Sequence, residues 1–125
     1  MKEHILAFGC EGILPLLTRT FAPRKMAVKA VPPTDYAQTV GALAGAAGCP
    51  RTEEVYSGAP LGEPMLVFCG FYGGRMEQAL GAMQRTGLRI PYKAMLTASN
   101  RGWRPAELLS ELQKEHAAMT RNAKR

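Results

Sequence analysis

Apolar residues in this chain gather in short uncharged runs separated by longer segments with helical spacing. The clearest run is residues 65–70, Met-Leu-Val-Phe-Cys-Gly, followed closely by Gly73 and Gly74. A strand wet on one face alternates apolar and polar positions, so this unbroken run predicts a strand covered on both faces. Residues 5–9, Ile-Leu-Ala-Phe-Gly, predict a second strand of the same kind. Residues 25–31 and 90–96 predict two more, each carrying a lysine near its middle, Lys29 and Lys93. Charged mid-strand residues protect edges from unwanted pairing, whereas strands apolar throughout belong inside a sheet.

Helical patterns fill the intervals. Pro15 opens the first, which points Leu14, Leu17 and Phe21 at the core and stops at Pro23. Asp35 and Gln38 form a capping box for the second, whose apolar stripe is Tyr36, Val40, Leu43 and Ala47. The third places Met76, Ala79, Leu80 and Met83 on one face and ends at Gly87. Pro105 opens the last, with Leu108, Leu109, Leu112, His116 and Met119 as its buried stripe.

Leu6 and Phe8 are echoed by Leu66 and Phe68, and the pair Lys29-Ala30 by Lys93-Ala94. The chain therefore reads as one α/β domain of two pseudo-repeated βαβα units, residues 1–47 and 65–119, with a linker at 48–64 and a basic tail at 120–125. Within the linker, residues 54–56 suit either a short extra strand or a mobile loop. The predicted architecture is a mostly parallel four-stranded sheet of order 2-1-3-4 with helices on both faces. In such a sheet the order reverses between strands one and three, and a ligand is expected beyond the carboxyl ends at that switch point.

Composition narrows this picture little. The chain of 125 residues is 46% hydrophobic and 21% charged, enough to bury a core without disulfides. No apolar run approaches membrane-spanning length and no signal-peptide layout is visible, so a cytoplasmic protein is expected. Cys10, Cys49 and Cys69 form no Cys-x-x-Cys pair and suit reduced thiols. Part of the formal charge of +6 comes from Arg121, Lys124 and Arg125 in the tail. Aromatic residues do not interleave with a basic stripe, which makes nucleic acid an unfavoured partner, reachable only through that tail.

Two turns are the candidate sites. In the first, Gly70, Tyr72, Gly73, Gly74 and Arg75 bring backbone N–H groups and a forked donor to a helix start, which suits a small anion; the ordinary alternative is a tight turn. In the second, Thr97, Asn100, Arg101 and Trp103 offer polar groups and an anchor to a ligand or partner; the alternative is a structural turn capping the core. Cys10 and Cys69 are expected at neighbouring strand ends, as a redox or metal pair or, more simply, as two inert buried thiols. Glu107, Glu111 and Glu115 read as a solvated helical face, and no metal site is predicted. Lys29 and Lys93 suit edge protection, or a contact with an acidic partner across a dimer.

Residues 65–71, the run Ile90-Pro-Tyr-Lys-Ala-Met-Leu-Thr, then Asn100, Trp103 and the Glu/Leu pattern from Glu107 to His116 resemble a family of small bacterial proteins catalogued only as a domain of unknown function. The resemblance covers residues 65–119 and brings no activity, cofactor or catalytic residue with it. The expectation is a homodimeric binding or regulatory module without catalysis, recognising a small anionic ligand or a protein. Its rival is a small enzyme or cofactor-binding domain using the carboxyl edge of the sheet.

Overall fold

A computed structural model describes residues 1–123; side chains from residue 121 onward, and with them the charged groups of the basic tail, lie outside the described residues. The element order is β1 (His4–Phe8), α1 (Leu14–Phe21), β2 (Val28–Val31), α2 (Val40–Ala44), β3 (Met65–Cys69), α3 (Arg75–Thr86), β4 (Tyr92–Met95) and α4 (Pro105–Ala123). The strands form one sheet of order β2-β1-β3-β4, as the pattern of apolar and lysine-bearing strands predicts. All five residues of β3 are buried, and β1 is buried from Ile5 to Phe8. The edge strands are less covered: Lys29, Ala30 and Met95 are exposed, and of their eight residues only Val31 is buried.

The direction of pairing departs from expectation. β1–β2 and β3–β4 are parallel, but the central pair β1–β3 is antiparallel, with His4 opposite Cys69 and Phe8 opposite Met65. The sheet is therefore mixed, and the argument for a switch-point crevice between two parallel strands does not apply. The linker at 48–64 brings the chain back at the end of the sheet where β1 finishes, so β3 starts there and runs the other way. Residues 54–56 add no strand; instead the Tyr56 N–H donates to the Thr34 carbonyl at 3.0 Å.

Helices cover both faces. α1 and α3 pack over Ile5, Ala7, Leu66 and Phe68, while α2 and α4 cover Leu6, Phe8, Met65 and Val67. The echo of Leu6 in Leu66 is not a structural equivalence, because these residues lie on opposite faces. Their ladder partners Lys29 and Lys93 are likewise on opposite faces. Alternation with period two makes any one-residue slip exchange faces, so the two units share an order of elements without sharing the register the echo implies.

Several helical expectations are corrected. Asp35 does not cap the second helix; it lies in a 3-10 turn and pairs with Arg51 at 3.1 Å. Thr39 is the cap, accepting from the Ala42 N–H at 3.1 Å, and α2 ends at Gly45 with φ +76°. Leu80 on α3 is 39% exposed and Met119 on α4 is 71% exposed, so neither belongs to a buried stripe. His116, also expected in that stripe, is exposed and lies edge-on to the Tyr92 ring at 5.7 Å.

Phe68 sits at the centre of the α1/α3 face, edge-on to Phe21 at 6.5 Å and to Phe71 at 5.2 Å. Replacing it with alanine removes a fully buried ring that several elements share. Phe68→Ala is expected to cost about 3–5 kcal/mol, read as a lower midpoint in urea denaturation with an unchanged slope.

Candidate functional site

The glycine turn follows from the sharp change of direction between β3 and α3. Gly70 has φ +70°, and a Cβ there would lie 2.7 Å from the Met1 carbonyl oxygen. The bare backbone thus lets the amino-terminal segment pass close against the turn. Arg75 completes that contact. Its Nε and Nη2 donate to the two carboxylate oxygens of Glu3 at 2.8 and 2.7 Å, Nη1 donates to Gln78 at 2.8 Å, and Nη2 also donates to the Arg24 carbonyl at 2.8 Å. The fork is engaged within the fold, and its charge faces a carboxylate whose pKa it holds below the ordinary value. Gly73 (φ +61°) and Gly74 serve the bend into α3, and Tyr72 projects into solvent, 71% exposed.

The turn at 97–103 is built around Asn100, which is buried. Its Oδ1 accepts from the Thr97 N–H at 2.9 Å, its Nδ2 donates to the Met95 carbonyl at 2.9 Å, and its own N–H donates to the Thr97 hydroxyl at 3.2 Å. The folded turn then presents two carbonyls to the start of α2. Trp103 O accepts from the Val40 N–H and Arg101 O from the Gly41 N–H, both at 2.8 Å. Helix starts leave such donors without intrahelical partners, so this turn supplies what α2 lacks. Gly41 permits the approach, since a Cβ there would lie 2.8 Å from Arg101 O and 2.6 Å from Cys49 Sγ. The Arg101 side chain is exposed, while Trp103 packs partly against the α2/α4 core.

Because β3 and β4 are parallel, these two turns share one end of the sheet. Cys10 does not join them. With β1 antiparallel to β3, Cys69 pairs with the beginning of β1 while Cys10 follows its end, so the expected thiol pair is split across the sheet. Each thiol is buried and donates to a carbonyl two residues back. Burial pushes Cys10 up to about 11 and Cys69 up to about 12, which suppresses the thiolate that nucleophilic, redox or metal chemistry requires. The antiparallel register does bring His4 opposite Cys69, but His4 Nδ1 lies 2.8 Å from the Lys2 carbonyl. Among the described residues no group of three or more His, Cys, Asp or Glu is placed to hold a metal ion, and no helix is long and apolar enough to cross a membrane.

A different arrangement stands out on the α1/α3 face. Two helices cannot fully cover four strands, so β4 is left beside a groove of about 610 Å³. Leu80, Met83, Leu88, Ile90 and Pro91 wall it, and Lys93 and Arg89 supply its positive charge. The Lys93 Nζ donates to the Ile90 carbonyl at 2.7 Å, and among the described residues neither cation is in an ion pair. Burial disfavours the Lys93 ammonium and lowers its pKa. The lysine was visible in the sequence as an edge residue. Its place beside α3 was not, because that depends on which face it occupies.

Two measurements check these assignments. Glu3 has a folded pKa below its ordinary value of 4.5, so the unfolded chain binds more protons between the two values. The stabilisation is present above 4.5 and lost as pH falls through the folded value; a Glu3→Gln variant is expected to show a shallower acid-side loss of stability by circular dichroism. For the thiols, the partly exposed Cys49 is expected to react with a disulfide reagent in the folded protein, whereas Cys10 and Cys69 react only on unfolding.

No curated protein and no solved structure matches the chain. Residues 64–119, which run from the start of β3 through most of α4, match a family model described as a domain of unknown function (DUF3783), the segment over which that resemblance was expected.

Proposed function

We propose that the protein is a small-ligand binding module, and that its ligand is an amphipathic anion held in the groove between α3 and β4. The observation that carries this reading is the Lys93 ammonium, half-buried against apolar walls and, among the described residues, without a carboxylate to neutralise it. Burying a cation beside Leu80, Met83 and Ile90 is unfavourable unless something compensates it, and one backbone carbonyl does so only in part. A carboxylate at Lys93 compensates it further and gains the stronger bond of a charged pair.

Arg89 lies along the same groove and suits the anion's second oxygen or a second polar group. The volume falls in the roughly 300–1,000 Å³ range of small-molecule sites. The apolar walls take a hydrocarbon body, so charge and carbon are recognised together. Lysine at this edge also discourages strand pairing, and the two roles are compatible because the ammonium stays at the groove wall. The two turns contribute differently: they hold the amino-terminal segment and α2 against the sheet that forms the groove floor.

Octanoate is the probe, measured by isothermal titration against octanol and octylamine at equal concentration. Binding of octanoate alone among the three is expected. Lys93→Met is expected to weaken it by about tenfold or more, the worth of one hydrogen bond to a charged group. Equal binding of octanol, or full affinity in Lys93→Met, would overturn the reading.

A further inference from the structure

An amine is better poised for imine formation when no carboxylate holds it as the ammonium, apolar groups shield it from bulk water on one side and the other side is open to a carbonyl carbon. Lys93 meets these conditions and Lys29 does not, although each sits mid-way along an edge strand and donates to a backbone carbonyl. The Nζ of Lys29 reaches the Leu43 carbonyl at 3.2 Å from an exposed position on the α2/α4 face. The Nζ of Lys93 is held at 2.7 Å by the Ile90 carbonyl, half-buried beside a groove of about 610 Å³. Met83, Leu88 and Ile90, all buried, form the dry side.

We propose that Lys93 forms a reversible imine with a ligand that carries a carbonyl group as well as an anionic group. The inference rests on the groove reading above and adds the covalent bond to it. A simple carboxylate pairs with Lys93, but a ligand with both groups lies with its hydrocarbon part against Leu80 and Pro91 and its anionic group at Arg89 instead, which leaves Lys93 as the neutral amine for the carbonyl carbon.

The step balances without an oxidant or reductant. The lone pair of neutral Lys93 attacks the carbonyl carbon, an N–C bond forms, and the π pair moves to oxygen, which takes up a proton. Loss of the second nitrogen-bound proton and departure of the oxygen as water leave a C=N bond, so one water is released per adduct. Burial favours the neutral amine that starts the sequence, in the same direction as the lowered pKa of Lys93. The bond is reversible because water re-entering the groove from its open side hydrolyses it.

The probe is 4-carboxybenzaldehyde, which joins an aldehyde, an apolar ring and a carboxylate. The full chain is incubated with it, reduced with sodium cyanoborohydride and mapped by peptide mass spectrometry. The expected result is an adduct concentrated on Lys93, lost in Lys93→Arg, with Lys29 and Lys114 modified far less. Lys93→Arg keeps a cation at the position, so it is expected to retain octanoate binding while losing the adduct. That pair of outcomes separates the two proposals. Octanoate binding with no Lys93 adduct overturns the imine alone; a Lys93 adduct without octanoate binding overturns the anion reading and, with it, the carbonyl-plus-anion ligand proposed here. Adducts spread evenly over the exposed lysines overturn the imine.

Discussion

The antiparallel ladder between β1 and β3 is the constraint on which the rest of this structure depends. Ile5, Leu6 and Phe8 on one strand and all of β3 on the other are at or near zero exposure, with side chains entering cores on both faces. A large apolar side chain buried so completely contributes about 1.5–3 kcal/mol, which makes these two short strands the densest source of stability in the chain. Their opposed directions send the two βα turns to opposite ends of the sheet. Each parallel pair then needs its own crossover helix, and both crossovers, α1 and α3, come to lie on the same face, where Thr20 and Thr86 join them through hydroxyls 2.7 Å apart.

Around that ladder, buried and part-buried polar side chains act as clamps between segments distant in sequence. Gln38 exchanges two hydrogen bonds with the backbone of Thr52, at 2.7 and 2.8 Å, and so fixes the beginning of the linker. Asn100 shapes the turn that closes the start of α2, and Arg75 ties the amino-terminal segment to α3. Among the described residues no buried side-chain nitrogen or oxygen is left without a partner. An unsatisfied buried polar group is costly, so the turns richest in polar groups are largely occupied by the fold itself. The groove proposed as the ligand site differs in that its Lys93 ammonium has one backbone carbonyl and an apolar wall beside it.

Much of the architecture was legible because it depends on local chemistry. Uncharged runs marked the two central strands, and lysines marked the two edges, so the order β2-β1-β3-β4 followed from burial alone. The amino-terminal ends of α1 and α4 were legible through proline, and the end of α3 through Gly87. The second helix was not: Asp35 lies in a 3-10 turn four residues before the true cap, Thr39, and its side chain pairs with Arg51, sixteen residues along the chain. The exposed positions Leu80 and Met119 show the limit of periodicity. A stripe says which residues share a face, but not whether anything lies under it.

The candidate site divides along the same line. By itself the sequence determined a four-stranded α/β domain, the central and edge strands, the positions of two polar turns and a lysine at the middle of each edge, because these follow from hydrophobicity, charge and turn chemistry within a few residues. Strand direction, the separation of Cys10 from Cys69, the internal use of Arg75 and Asn100, and the placing of Lys93 beside α3 were decided only by the tertiary structure. Each depends on long-range pairing, in which parallel and antiparallel partners bury the same side chains equally well, and a shift of one residue moves a lysine from one face of the sheet to the other.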